Sequence, residues 1–174
     1  EVVDKALPGA PKDEALKKFK RAYPSAASMG TGFPAYGTDA LRLTLASYSP
    51  QAKRIPLSPK KIEGYRNFAN KIWNAARFAH MYLDGPRVTR PISQRTIPDR
   101  WILSRLNHTI KTVTMELENY RFDRASHALY QFIWHEFCDW YLELIKPVLQ
   151  NADHPDGPST RDTLVQTLET SMRL

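Results

Sequence analysis

The residues of this sequence best suited to binding a ligand lie together on residues 64–80, which read GYRNFANKIWNAARFAH. This segment contains three asparagines, three cations and one tryptophan, and it has no acidic residue. Side-chain amides can hydrogen-bond to base edges, cations can hold phosphates, and aromatic rings can stack on unpaired bases. The composition therefore predicts a surface for single-stranded RNA.

A helix is needed to place these side chains on one face. At about 100° per residue, the apolar residues of 58–84 fall within roughly 160° and the polar ones within a separate arc of roughly 140°. The polar arc, with two aromatic candidates for stacking, consists of Arg66, Asn67, Asn70, Lys71, Trp73, Asn74, Arg77 and Phe78. The apolar arc consists of Ile62, Tyr65, Phe68, Ala69, Ile72, Ala75, Ala76, Ala79, Tyr82 and Leu83. The alternative is an ordinary solvated face, with Trp73 and Phe78 packed against neighbouring helices.

Positive charge is concentrated in the middle of the chain. The net charge is +7, and residues 53–105 carry 12 basic and 3 acidic side chains. Clustering of this kind is expected for a protein that binds a polyanion, although a basic face can also serve solubility. The cations of two loops, 49–57 and 85–97, are predicted to hold an RNA backbone without reading its sequence. They are Lys53, Arg54, Arg87, Arg90 and Arg95.

The pattern of apolar residues and helix breakers predicts helices almost throughout, and no convincing strand pair. Thr38, Ser58 and Asp123 are the predicted N-caps, and Pro147 is the predicted stop of the helix that Asp123 begins. The fold class is therefore all-α, an antiparallel helix bundle. The predicted helices are 11–22, 38–48, 58–84, 98–120, 123–146 and a last one from residue 160, with a loop at 23–37.

The remaining candidates for chemistry are weak. His135, Cys138 and Asp139 have the spacing of metal ligands, but they lie in a helix crowded with apolar residues and no second cluster completes a site. Glu136, Asp139 and Glu143 share a face, either as a solvated acidic stripe or as partners for the basic loops. No Gly-rich phosphate loop or nucleophile elbow is present. We expect no catalytic and no metal site, and a binding rather than a catalytic role.

The sequence has no feature of a membrane or secreted protein. No apolar run approaches about 18 residues, and the N-terminus has neither the basic start nor the apolar stretch of a signal peptide. The single cysteine excludes an intrachain disulfide. We expect a cytoplasmic protein that does not bind membranes. Because the chain lacks an initiator methionine and stops within a helical pattern, it is expected to be a piece of a longer protein.

Three stretches of the chain resemble a known family. They are YGTDALRLTLASYSPQAKRIPLSPKKIEGYRNFANKIWNAARF, PDRWILSRLNHTI and YRFDRASHALYQFIWHEFCDWYLELIKPVL, in this order. Together they resemble the C-terminal part of valyl-tRNA synthetases, which are class I aminoacyl-tRNA synthetases, over roughly residues 33 to 174. The resemblance implies that residues 58–174 form the helical anticodon-binding domain, truncated at its C-terminal end. Residues 1–57 would be the end of the catalytic core and a connector that contacts the tRNA stem.

The resemblance also implies a function. The parent enzyme would be a monomer that attaches valine to its tRNA with ATP and Mg²⁺, and the partner would be tRNA for valine, not DNA. The family's HIGH and KMSKS motifs are missing from this sequence, so the fragment is expected to bind no cofactor and to be inactive alone. The polar arc would read the anticodon. Two alternatives remain, a stand-alone helical RNA-binding module and a domain that docks a protein through exposed aromatic residues; salt dependence of binding would separate them.

Overall fold

The structure, a computed structural model, describes residues 35–51, 55 and 57–174, together with positions 14, 17, 18 and 21. Those four positions are helical; the other residues predicted as a helix at 11–22, and most of the loop at 23–37, lie outside the described residues. Between residues 35 and 174 the described positions contain helices and no strand, which confirms the all-α fold. The α-helices are α1 (Thr38–Ala46), α2 (Pro59–His80), α3 (Ile97–Glu118), α4 (Phe122–Tyr130), α5 (Leu142–Gln150) and α6 (Gly157–Arg173).

The helix starts agree with the predicted caps at one of three sites. Ser58 is the N-cap of α2 and Pro59 its first residue, as predicted. Thr38 is instead the first residue of α1, and Gly37 takes the cap position with φ 91°, a conformation that glycine adopts without steric cost. Asp123 lies inside the first turn of α4. Arg121 takes the N-cap position, and the two carboxylate oxygens of Asp123 accept bonds from the Arg121 guanidinium at 3.0 and 2.9 Å.

The helix that begins at Phe122 continues to Gln150 and passes the predicted stop. Between α4 and α5 lies a π-helical segment (Gln131–Tyr141), after which the Leu142 N–H donates to the carbonyl of Phe137, five residues back. Pro147 lies inside α5. It has no N–H to donate to the Glu143 carbonyl, yet the helix continues on both sides of it. The predicted end near Lys146 is therefore wrong.

Smaller shifts occur at other boundaries. Helix α2 ends at His80, where Asp84 was predicted, and residues 81–84 form turns. Helix α6 begins at Gly157 and not at Thr160, with Pro158 in its first turn. Such differences of one turn are common where helix ends fray or tighten.

The core lies between α2, α3, the π-helical segment, α5 and α6. The apolar arc of α2 supplies Phe68, Ala75 and Ala79 to this core, as predicted, whereas Ala69 and Leu83 are exposed. Helix α1 packs against α2 and α4. The largest side chains that are almost fully buried are Tyr141, Phe132, Phe137, Ile102 and Ile145. Among the described helices, none combines the length and the apolar character needed to cross a membrane.

A buried carboxylate connects α3, the π-helical segment and α6. Asp99 has no exposed surface. It accepts hydrogen bonds from the Tyr141 hydroxyl at 2.7 Å and from the Thr160 hydroxyl at 2.9 Å, and its own N–H donates to the Thr96 hydroxyl, the N-cap of α3. Because a buried charge is costly unless it is hydrogen-bonded, these contacts fix the three elements relative to one another.

Candidate nucleic-acid interface

The predicted polar arc lies on the surface of α2. Its asparagines and arginines are exposed, and no hydrogen-bond or ion-pair partner is found for them within the described part of the chain. They are Arg66, Asn67, Asn70, Asn74 and Arg77. The reason is local, because burial of Phe68, Ala75 and Ala79 on the opposite face of the helix turns these side chains outward. The arc therefore offers hydrogen-bonding groups that the protein itself does not use.

An open cleft lies along the C-terminal half of this arc. It has a volume of about 640 Å³ and is lined by Trp73, Asn74, Ala76, Arg77, Phe78, His80 and Met81. Trp73 is 68% exposed, as is Met81. An indole as accessible as this is available for stacking. The alternative interpretation requires Trp73 to pack against a neighbouring helix, and its exposure contradicts that. The cleft thus combines an aromatic surface, an amide and a guanidinium.

Phe78 occupies a different environment from Trp73. It is partly buried against the core, and its ring centroid lies 5.2 Å from that of Tyr82. It still lines the cleft. Phe78 is therefore a wall of the cleft, whereas Trp73 projects from its edge.

Lys71 is the member of the arc that the protein itself engages. Its Nζ lies 2.8 Å from Oδ1 of Asp139 and 5.2 Å from the centre of the Trp134 ring. The hydrogen bond to Asp139 raises the pKa of Lys71, against a smaller effect of burial. Both side chains are about one-third exposed, at 35% and 37%. Such ion pairs contribute about 0 to 1 kcal/mol, so a phosphate could compete for Lys71 at small cost.

The loop cations are not equivalent. Lys53 and Arg54 lie outside the described residues. Arg87 is exposed, and no partner for it occurs among the residues that the structure describes. Arg90 is half-buried and donates to Asp156 at 2.7 Å and to the Pro155 carbonyl at 2.8 Å. Of the three described loop cations, only Arg87 thus presents a free guanidinium at the surface.

Arg95 lies in the interior and not on the surface predicted for it. Its side chain is 4% exposed. The guanidinium donates to the Arg90 carbonyl at 2.9 Å, to Asp162 at 3.1 Å and to the Thr163 hydroxyl. A phosphate has no access to these donors. Arg95 instead braces the 85–97 loop against α6, and we leave it out of the candidate interface.

The acidic stripe pairs with helices rather than with the basic loops. Glu136 accepts two bonds from Arg105 of α3, at 2.9 and 2.7 Å. Asp139 pairs with Lys71, and Glu143 pairs with Lys146 at 2.6 Å. These carboxylates neutralise cations of the bundle, so they are not placed as a pair for acid and base catalysis.

The residues considered as metal ligands do not converge. Cys138 is buried in the core, and burial raises its pKa to about 11 in spite of the nearby Lys71. His135 is exposed and contacts Asp139 at 3.2 Å. Across the residues that the structure describes, no group of three or more His, Cys, Asp or Glu side chains is placed to hold a metal ion.

A second basic surface, on α3, was missed by the sequence analysis. A groove of about 400 Å³ is lined by Ile92, Arg100, Leu103, Ser104, Asn107, His108 and Lys111. The signal was present in the sequence, since residues 100–115 contain no acidic residue. It was overlooked because α3 has no cluster of asparagines or tryptophans to mark one face.

Comparison with known proteins identifies the class of this domain. Residues 99–174 match the family model of the anticodon-binding domain of tRNA ligase. The match begins in the first turn of α3 and continues to the end of α6. This part of the chain is thus similar to the anticodon-binding domain of tRNA ligases.

The particular relatives are valine–tRNA ligases. The chain is 47% identical over 146 residues to those of Laribacter hongkongensis and Chromobacterium violaceum, and 46% identical over 143 residues to that of Stenotrophomonas maltophilia. Each comparison covers 82% of this chain. The chain spans about 16% of the length of these relatives. It is homologous to valine–tRNA ligases, which confirms the resemblance noted in the sequence.

Proposed function

We propose that this chain recognises the anticodon of tRNA for valine as part of a valine–tRNA ligase, the enzyme that attaches valine to its tRNA with ATP during translation. The observation that supports this most strongly is the 47% identity to valine–tRNA ligases over 146 residues. On this proposal, residues 58–174 are the anticodon-binding domain, and residues 1–57 are the end of the catalytic core and the connector that contacts the tRNA stem. ATP and Mg²⁺ act elsewhere in a monomeric cytoplasmic enzyme.

The exposed polar arc of α2 is the surface that we assign to the anticodon. Asn67, Asn70 and Asn74 offer amide groups, each with donors and an acceptor, which suit the edges of unpaired bases. Arg66 and Arg77 flank them and suit phosphate or stacking contacts. All five side chains are exposed and unpaired within the described structure, so binding would not first have to break internal hydrogen bonds.

The cleft beside Trp73 gives this surface a place for an unstacked base. Stacking of a base on an aromatic side chain contributes about 1 to 3 kcal/mol but discriminates little between bases. Asn74 lines the same cleft, and its amide would supply the discrimination. We assign this cleft to the middle or third base of the anticodon, with Phe78 as its wall and Lys71 recruited from Asp139.

The test is Asn74→Ala in the 174-residue chain, with binding to an RNA hairpin that carries the valine anticodon. The loss of a base-edge contact should cost about 1 to 3 kcal/mol, about 5- to 150-fold in affinity, and should reduce the preference over a hairpin with a changed anticodon. The melting temperature should barely change, because an exposed asparagine contributes little to the core. The matched control is Gln166→Ala, which removes an exposed amide from α6.

Other outcomes would point elsewhere. If single alanine variants of Asn67, Asn70, Lys71 and Asn74 all bind as the unmodified chain does, the reading site lies outside α2. If the unmodified chain binds neither hairpin, RNA recognition itself is wrong. Binding to a protein partner that persists as salt is raised would then favour the docking alternative, because an apolar interface is less sensitive to ionic strength than phosphate contacts are.

A further inference from the structure

The groove on α3 forms a continuous polar track along one side of that helix. Its polar lining residues fall within roughly 100° of arc, and Arg100 and Lys111, at its two ends, are about 16 Å apart along the helix axis. Between them lie Ser104, Asn107 and His108, all exposed. The track therefore presents hydrogen-bond donors over about three turns of α3.

The cations of this track are free, in contrast to other cations of the bundle. Arg100 and Lys111 are exposed, and neither has an ion-pair or hydrogen-bond partner among the described residues. Arg105 of the same helix, by comparison, is bound to Glu136. No carboxylate lines the groove in the part of the chain that the structure describes. Its charge is therefore uncompensated, which favours an anionic ligand.

The opposite wall of the groove is held in place by contacts to α6 and to the residue before it. This wall is Ile92, in a single 3₁₀ turn (Ile92–Gln94) that precedes α3. Arg95, directly after the turn, anchors it to α6 through Asp162 and Thr163, and Arg90, before it, is tied to Asp156. Arg90 and Arg95, both predicted to contact RNA, thus hold the turn that carries this wall, Arg95 from the interior and Arg90 from a partly exposed position.

We infer that this groove, formed by Ile92, Arg100, Ser104, Asn107, His108 and Lys111, binds the phosphodiester backbone of RNA without reading its sequence. Phosphate oxygens are typically contacted by arginine and lysine together with serine and asparagine side chains. No phenyl, phenol or indole ring lines the groove within the described residues, so it offers less aromatic surface for stacking than the cleft beside Trp73 does. The inference rests on the proposed function and adds a second contact region, separate from the arc on α2.

The experiment uses the double variant Arg100→Gln/Lys111→Gln of the 174-residue chain. Its binding to the valine-anticodon hairpin and to the hairpin with a changed anticodon is measured at several KCl concentrations. Each phosphate contact contributes about 0.7 to 0.9 to the slope of log K against log salt. We expect the slope to decrease by about 1.5 and affinity near 0.15 M salt to fall on the order of tenfold, equally for both hairpins.

The control is Arg173→Gln, which removes an exposed cation that is paired with Glu169 on α6; its slope should equal that of the unmodified chain. An unchanged slope in the double variant, with discrimination intact in the unmodified chain, overturns this inference and leaves the proposed function standing. A double variant that loses discrimination between the hairpins also overturns it, because the groove would then read bases. If the unmodified chain shows no preference between the hairpins, the proposed function fails instead. Circular dichroism of each variant verifies that it is folded.

Discussion

The buried Asp99 allows a sharp test of the fold, through the variant Tyr141→Phe. The substitution keeps the aromatic ring, which stacks on Phe137 with centroids 5.9 Å apart, and it removes only the hydroxyl. That hydroxyl donates to Asp99 at 2.7 Å. Burial, with a further effect of the Asp99 charge, raises the pKa of Tyr141 well above its ordinary value, so the phenol remains a donor over the whole working range of pH.

The expected magnitude follows from the charge of the acceptor. A hydrogen bond to a charged group contributes about 1.5 to 3 kcal/mol, more than a neutral one. Asp99 has no exposed surface, so water cannot replace the lost donor, and only the Thr160 hydroxyl remains among its side-chain partners. We therefore expect Tyr141→Phe to lower the free energy of unfolding by about 1.5 to 3 kcal/mol. For a protein of this size the melting temperature should fall by about 3 to 12 °C.

The assay is urea unfolding followed by circular dichroism, with Tyr130→Phe as the matched control. Tyr130 is a partly buried tyrosine at the end of α4, and its hydroxyl has no hydrogen-bond partner among the described residues. The reasoning would be refuted if the free energy of unfolding of Tyr141→Phe fell by no more than about 0.5 kcal/mol beyond that of Tyr130→Phe, since ordinary surface substitutions have effects of that order. Adding Thr160→Val should cost more than the sum of the single changes, because the carboxylate would then be buried without a side-chain donor.

Two further predictions concern acid stability and helix propensity. The Arg121 guanidinium lowers the pKa of Asp123 from 3.8 to about 2, so the pair stabilises the folded state above about pH 4, and this contribution is lost as pH falls through about 2. The stability difference between the unmodified chain and Asp123→Asn should therefore shrink over that range in urea titrations; a constant difference would contradict it. Gly64 is exposed within α2, and an added Cβ would meet nothing within 4 Å. Gly64→Ala should therefore raise the free energy of unfolding by about 0.5 to 1 kcal/mol. Gly37→Ala should lower it, because Gly37 has φ 91°. A lower free energy of unfolding for Gly64→Ala would contradict the prediction.

Periodicity was sufficient to predict the arc on α2. Apolar residues at helical spacing identify the buried face wherever a helix packs along its whole length, and α2 does so through Phe68, Ala75 and Ala79. The face opposite a buried one must be exposed, so the positions of Asn67, Asn70 and Asn74 followed without knowledge of any neighbour. The long helix was predicted less well, because packing of the residues on both sides of Pro147 keeps the helix continuous, and a local sequence pattern does not show that packing.

The roles of the charged residues could not be predicted in the same way. Whether an arginine faces solvent or is buried depends on partners distant in sequence, and Arg95 meets Asp162 and Thr163 some 67 and 68 residues away. The same limit applies to Lys71, whose partner Asp139 lies 68 residues further on. A net charge counted along the chain therefore overestimates the free charge in the 85–97 loop. It underestimates the importance of α3, where the cations at positions 100 and 111 are left without partners.

The distribution of paired and free cations suggests how specificity and affinity could be separated in this domain. Lys71 is held by Asp139 and would become available only when a ligand replaces that contact, at a cost of up to about 1 kcal/mol. The free cations of the α3 groove require no such exchange, so any RNA backbone could bind there. A ligand that fails to make the amide contacts of the arc would thus retain the groove contacts. It would gain too little binding free energy at the arc to offset breaking the Lys71–Asp139 ion pair. Under the proposed function, Asp139 contributes to discrimination by making one of the electrostatic contacts conditional on correct base recognition.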